Sequence, residues 1–364
     1  MSGGFHKLPF IAIKIKHRIY PKFRMTKIIQ FFILSFISLT FTFCSVKENK
    51  NWDESKLNQA IDYAGTLGTY ALVIQSNENI IASYGNIDKA SRVHSVRKAI
   101  LSALVFQNLD KIDIQASLAD LNINDAPKPL TDLQRTAKVI HLLKSTSGIN
   151  HPTGSQVGSM QAKRDNLLGY EPNIPGTKWA YNNWDYNVLT TIFEKQTGLT
   201  ISEAFNKGIA EPLNINNFEV FYRRDTTLTL HPKAGIKLST RDMAKFGQLY
   251  LNYGNWKGNQ IIPKEWVEKI TTDFTLTKKQ SNERFGHGYL WWIPSKNYAG
   301  GIPEGSYIST GAWGQRILII PKWNTVIAHK TMTEIPSKER TPVKSSEFEE
   351  LVRLISLAHI SDSQ

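Results

Sequence analysis

Cysteine is nearly missing: Cys44 stands alone among 364 residues. One cysteine excludes an intrachain disulfide and a cysteine-built metal cage. Acidic charge is scarce at the start, where residues 1–50 hold nine Lys/Arg and one Glu. That segment carries +8 of the formal +13, leaving +5 for the other 314 residues. No basic stripe interleaved with aromatics follows, so nucleic acid is excluded as a partner. Three catalytic signatures are absent as well. There is no Gly-x-Ser-x-Gly, no His-Glu-x-x-His and no Gly-rich phosphate loop. Nucleophile-elbow hydrolases, zinc proteases of that type and phosphate-loop enzymes therefore drop out. Internal repeats and low-complexity tracts are lacking too.

What is present suits a packed globular body. A hydrophobic content of 41%, with nine Trp and 17 Phe, supplies a core for one large domain or two intimate ones. Ahead of it, Met25-Thr26-Lys27 leads into an apolar run over residues 28–43, closed by Cys44-Ser45 and a polar stretch. A basic start with a short apolar core reads as a secretory signal. Its 16 residues fall short of the roughly 20 that a membrane span needs. Cys44 resembles a bacterial lipoprotein processing site, although Phe43 is larger than such sites prefer before the cysteine. The expectation is an exported protein, periplasmic or membrane-anchored through Cys44, with residues 1–44 as a leader. An uncleaved anchor or plain secretion is the alternative. Met25 is a candidate start, with residues 1–24 then an over-extension or a basic leader.

Periodicity places a helix over 52–65 and a hairpin over 70–75 and 80–84, joined by Ser76-Asn77-Glu78-Asn79. Mostly helical spacing runs from Ser95 to about residue 230 between long loops, including helices at 137–144 and 184–197. Residues 154–169 read as loop with some helix. Later helices fall at 242–253, behind a Ser239-Thr240 cap, at 263–270 and at 346–358. Strands are expected at 288–293, 307–310, 316–320 and 325–329. If these late strands join the early hairpin, the fold is α+β, one antiparallel sheet flanked by helices plus a helical insertion. The implied division is 45–104 with 235–364 as a sheet domain and 105–234 as a mainly helical insertion domain.

One stretch organises the rest. Ser95 and Lys98 stand three apart at the head of an apolar helix, and residues at that spacing share a face. A serine hydroxyl is a poor nucleophile without a base, and a desolvated lysine with a depressed pKa can be one. Unpaired N–H groups in the first helical turn favour a neutral amine and a developing oxyanion. Ser-x-x-Lys occurs once in the chain, although the spacing alone also fits an ordinary amphipathic helix. Tyr181-Asn182-Asn183 follows the Pro175-Gly176 breaker and presents a phenol and a carboxamide from a bend. A phenol beside an ammonium has its pKa lowered and can relay a proton. Two look-alikes, Tyr84-Gly85-Asn86 and Tyr253-Gly254-Asn255, read as glycine turns. The third element is Ser309-Thr310-Gly311-Ala312 before the strand at 316–320. Glycine at a strand edge admits close approach, and an N–H there would pair with that of Ser95 as a two-donor oxyanion hole.

Ser95-x-x-Lys98, Tyr181-x-Asn183 and Ser309-Thr310-Gly311 occur in the order of the serine β-lactamase-like family, which the chain resembles over roughly residues 55–360. The matching branch holds class C β-lactamases, D-alanyl-D-alanine carboxypeptidases, family VIII esterases and 6-aminohexanoate-dimer hydrolases. Linking phrases agree as well: His141 to Ile149, Pro175 to Tyr181, Ala234 to Gly247, Phe285 to Trp292 and Gly311 to Pro321. The resemblance implies the β-lactamase/transpeptidase-like fold, Ser95 as acylated nucleophile, Lys98 as base and Tyr181 as proton relay. It also implies Asn183 as substrate-orienting residue and an oxyanion hole from the Ser95 and Ala312 N–H groups, with no metal or cofactor. Ser309 departs from the pattern, since lactamases and peptidases of the family place Lys or His there to meet a substrate carboxylate. The expected substrate is accordingly a small neutral ester or amide, cell-wall-derived compounds among the candidates. Arg97, His287 and Arg316 are candidates to replace the lost charge. A β-lactamase or carboxypeptidase, and a non-catalytic cell-wall-binding relative, are the alternatives.

Overall fold

Asp53 opens the first helix, α1 (Glu54–Thr66), by accepting the Lys56 backbone N–H at 3.1 Å, a side-chain N-cap. The helix buries Leu57, Ala60 and Ala64, the spacing of one helical face. A hairpin follows, β1 (Ala71–Ser76) and β2 (Asn79–Gly85), turning through Asn77 and Glu78 at φ +48° and +65°. Two consecutive positive φ values match the twist of a hairpin. The short strand β3 (Ser91–Arg92) leads to α2 (Arg97–Phe106). Then come α3 (Asp132–Arg135), α4 (Val139–Leu143), α5 (Asn183–Thr197) and α6 (Ile201–Phe205). Strands β4 (Glu219–Arg223) and β5 (Lys233–Leu238) precede α7 (Thr240–Leu251). A small hairpin, β6 (Asn255–Trp256) with β7 (Asn259–Gln260), and α8 (Lys264–Thr272) follow. The last strands are β8 (Thr275–Lys278), β9 (Arg284–Gly288), β10 (Trp291–Ile293), β11 (Tyr307–Gly311), β12 (Gln315–Ile320) and β13 (Thr325–Lys330), closed by α9 (Ser345–Ala358).

This computed structural model describes residues 51–154, 165–166, 168–169, 173–278, 284–294, 298 and 302–360. The expected leader, with Cys44, and most of the expected loop at 154–169 lie outside the described residues. Residues 49–364 form one compact unit.

Early hairpin and late strands do join in one antiparallel sheet, ordered β2-β1-β13-β12-β11-β10-β9-β8. Its central strands β1, β12 and β13 are buried along their whole length, as strands covered on both faces must be. Leu72, Ile74, Leu318, Ile320 and Ile327 point to a cluster with α1 and α9. Their neighbours Val73, Ile317, Ile319, Val326 and Ala328 point to a second cluster with α2, α5 and α7. That period of two across the sheet makes a helix–sheet–helix α+β sandwich. The same second cluster takes in Leu142, Phe205 and Leu213 from the middle of the chain.

Two strand assignments differ from the sequence reading. The run at 288–293 is not one strand, because Tyr289 and Leu290 turn at φ +52° and +71° between β9 and β10. Both are buried, with Tyr289 against the Phe106 and Trp266 rings. An apolar buried turn leaves no polar punctuation in the sequence. The stretch expected to stay helical to about residue 230 contains β4, which pairs with β5 and, through it, with β3. Phe221 lies opposite Gly235 there, and a Cβ on Gly235 would meet its ring at 2.3 Å. The hairpin thus needs a glycine under the aromatic.

Candidate active site

The approach to Ser95 is held from both sides. Val93 donates its N–H to Ile236 O at 3.0 Å, and Lys330, buried in β13, donates from Nζ to Ser91 O at 2.8 Å and Leu238 O at 2.5 Å. One lysine therefore ties the large sheet to the small one just ahead of the site. His94 then turns at φ +50°, a conformation costing a non-glycine residue about 1–3 kcal/mol. Ser95 sits in the 3-10 turn His94–Val96, and α2 begins two residues later at Arg97. This bend sets Ser95 N against the end of β11. A Cβ built on Gly311 would lie 3.1 Å from Ser95 N and 2.6 Å from Val93 O.

Lys98, the second residue of α2, is buried. Its Nζ donates to Asn183 Oδ1 at 2.8 Å and is hydrogen-bonded to Tyr181 Oη. Rings of Tyr181 and Tyr186 flank the nitrogen, each centroid at 4.0 Å. The Ser95 hydroxyl in turn hydrogen-bonds Tyr181. Ser95, Tyr181, Lys98 and Asn183 thus form one continuous chain.

The Tyr181–Asn183 bend is rigid for reasons visible around it. Asn182 caps α5 by accepting the Asp185 N–H at 2.8 Å. Ala180 N–H donates to Ser145 O at 2.9 Å and Gly176 N–H to Thr146 O at 2.7 Å. Ser147 Oγ donates to Asp185 Oδ1 at 2.6 Å, and the Ser145 and Tyr186 hydroxyls pair at 2.7 Å. Segment 145–147 is thus the splint for Tyr181.

Burial dominates the electrostatics. It pushes the Lys98 amine well below the ordinary lysine value, with the Arg97 and Lys233 charges adding to the shift and Asp185 opposing it. The neutral amine is favoured, as a base requires. Tyr181 departs from expectation: burial raises its phenol above the usual tyrosine value, against the Ser95 hydrogen bond and the Arg97 charge. Burial outweighs both, so the phenol keeps its proton.

The three residues considered for the lost cation do not take its place. Burial, then the Lys98 charge, lowers His287 to about 3, so it is neutral at working pH. Arg316 donates to Val343 O at 3.0 Å and lies over the Phe348 ring, in the cluster on the α1/α9 face. Arg97 is 3% exposed, with Asn187 Oδ1 at 3.4 Å. Thr310 pairs across the strands with Arg316 and lines a cavity of about 320 Å³ with Tyr298 and Phe285. By strand alternation Ser309 shares the face of Gly311, and Thr310 takes the other. Ala312 follows Gly311 in a 3-10 turn.

His287 was marked only as a candidate cation, and Trp179 and Trp292 were not marked as site residues at all. Their rings form a wall beside Tyr181: His287 to Trp292 at 4.7 Å, Tyr181 to Trp292 at 5.5 Å and Trp179 to His287 at 5.6 Å. Neither His287 ring nitrogen has a hydrogen-bond partner. The cross-strand pairing of His287 with Trp292 depends on the hidden turn at 289–290, so spacing did not show it. β10 pairs with β11 at Trp292 and Ile308 alone, so the Ser309–Gly311 edge is open on that side among the described residues.

The Beta-lactamase family profile matches residues 55–342. The chain belongs to the Beta-lactamase family. It is 26% identical over 215 residues to an uncharacterized protein of Alkalihalophilus pseudofirmus, covering 53% of this chain and 60% of that one. To 6-aminohexanoate-dimer hydrolase of Paenarthrobacter ureafaciens it is 24% identical over 162 residues, 41% of this chain and 38% of that one. The matches thus span less than two thirds of these curated relatives. Among solved structures, a family VIII carboxylesterase superposes with a TM-score of 0.61 at 13% identity, covering 84% of this chain and 97% of that one. The fold is that of the serine-hydrolase-like superfamily.

Proposed function

We propose that the protein is a serine hydrolase that cleaves small neutral esters or amides through an acyl-enzyme on Ser95. The observation that carries this reading is the hydrogen-bonded chain from Ser95 through Tyr181 to a buried Lys98 amine that favours its neutral form. In the proposed reaction, Ser95 Oγ attacks the substrate carbonyl while its proton passes through Tyr181 to Lys98. Asn183 Oδ1 holds the amine in place. The carbonyl oxygen becomes an oxyanion facing the Ser95 N–H and the β11 edge at Gly311-Ala312. Collapse breaks the ester or amide bond, and Lys98 returns its proton through Tyr181 to the departing alcohol or amine. Water then attacks the acyl carbonyl, giving a proton to the same relay, and Ser95 leaves as the free hydroxyl. The neutral Ser309, on the Gly311 face, supports substrates without a carboxylate at that point.

A fluorophosphonate probe is expected to label the wild-type protein and not Ser95→Ala, and p-nitrophenyl butyrate hydrolysis to disappear with the label. Full hydrolysis by Ser95→Ala refutes the assignment. Rapid nitrocefin turnover favours the β-lactamase alternative, and a folded, probe-negative wild type favours a non-catalytic binder. Export and anchoring through Cys44 belong to the same proposal: Cys44→Ser should move the protein from the membrane to the soluble fraction.

A further inference from the structure

A second basic site lies beside the first. Asn187, one turn along α5 from Asn183, lines a cavity of about 240 Å³ together with Arg223, Arg224, Thr229, His231 and Lys233. This is smaller than pockets for drug-sized ligands and large enough for a small polyatomic ion. None of Arg223, Arg224 and Lys233 is within salt-bridge distance of a carboxylate among the described residues. Asp225 also lines the cavity, and its Oδ1 accepts the Thr227 hydroxyl at 2.6 Å. Behind the wall, Asp125 is already satisfied by His151, Trp184, Thr229 and the Leu230 N–H at 2.6–3.1 Å. His231 is engaged through both ring nitrogens, by Thr191 and Asn124 O. The unmatched donors are therefore the two arginines and the lysine.

Their charges add to a cation deeper in. Arg97, 3% exposed, reaches Asn187 from the other side, and its Nε has no partner. Arg223 and Arg224 are exposed and Lys233 is half-buried, and like charges converging on one cleft favour an arriving anion. Lys233 responds to the crowding: burial, then the Arg97, Arg223 and Arg92 charges, lowers it to about 7.

We propose that this cavity binds a dianionic phosphate group, free or as a monoester, through Arg223, Arg224 and Lys233. A dianion with several acceptor oxygens matches three cationic donors, whereas one carboxylate would leave two of them uncompensated. Arginine forks are suited to phosphate oxygens.

The test is calorimetric titration of the full-length protein at low ionic strength with inorganic phosphate, glycerol 3-phosphate and succinate. Binding is read directly, so the outcome does not depend on the hydrolase reading. One phosphate or glycerol 3-phosphate per chain is expected, the tighter of the two showing whether free ion or ester is preferred. Arg223→Ala/Arg224→Ala and Lys233→Gln should each weaken that binding by at least tenfold, with circular dichroism showing both folded. Absence of saturable binding, unchanged affinity in either folded variant, or tighter binding of succinate than of both phosphates overturns the proposal.

Discussion

Gly311 offers the sharpest test of how the site is built. Its φ of −125° is extended backbone that any residue adopts, so replacing it with alanine adds no dihedral strain. The difficulty is space. The new Cβ would stand 2.6 Å from Val93 O, where Cβ contacts are essentially never under 3.0 Å, and 3.1 Å from Ser95 N and Gln315 Cβ. β11 and the Val93–Ser95 segment must therefore separate by at least 0.4 Å at a point where both are backbone. That movement opens the gap between the two proposed oxyanion donors, the Ser95 and Ala312 N–H groups. Overpacking of this kind costs about 1–3 kcal/mol of stability. Misplacement on the ångström scale costs about 10²-fold in rate, and complete loss of one donor about 10²–10³-fold. Gly311→Ala should thus remain folded while kcat on p-nitrophenyl butyrate falls about 100-fold or more. Gly68→Ala is the control: its Cβ would meet Thr341 O at 2.4 Å, away from the site, so it should lower the melting temperature and leave kcat alone. A Gly311→Ala enzyme with kcat within threefold of wild type would refute the argument that backbone approach at this point assembles the hole.

Because the Lys98 amine must be neutral to take a proton, and its value lies below that of ordinary lysine, kcat/KM should rise with pH along one ionisation below 10.5. Lys98→Met should lose that ionisation and about 10²–10⁴-fold in rate; an unchanged pH–rate profile would remove Lys98 as the base. Lys330→Met removes the hydrogen bonds that Nζ gives to Ser91 O and Leu238 O and should cost about 0.5–1.5 kcal/mol for each, measured by urea denaturation. Lys330 falls from 10.5 in the unfolded chain to about 7 in the fold, so between these values the unfolded state binds more protons. The wild type should therefore gain stability with rising pH across that window, and the variant should lack this component. His287→Phe keeps the ring wall and removes two unpartnered buried nitrogens, so its urea midpoint should equal or exceed wild type; a loss above 1 kcal/mol would mean the imidazole is bonded in the folded protein.

Local spacing was enough to put Ser95 and Lys98 on one face, to place a cap at Ser239 and to mark the helices found at 54–66, 183–197 and 240–251. These features depend on residues within a few positions of each other, and side-chain period and capping chemistry are local quantities. The order of Ser95, Tyr181 and Gly311 along the chain was enough to indicate the family. What that order cannot contain is the sum of contacts from distant segments. Burial beneath two tyrosine rings, with Arg97 and Lys233 nearby, favours the neutral Lys98 amine, and burial of Tyr181 itself reverses the direction expected for its phenol. A turn hidden inside an apolar run decides that His287 and Trp292 stand beside Tyr181, and strand alternation sends Thr310 and Arg316 away from Ser309. The close pass of Gly311 by Val93 and Ser95, 216 positions apart at the nucleophile, exists only because Lys330 and β5 fix the route of the chain to His94. Residue types supplied the chemistry; desolvation and long-range packing set its protonation states and its geometry.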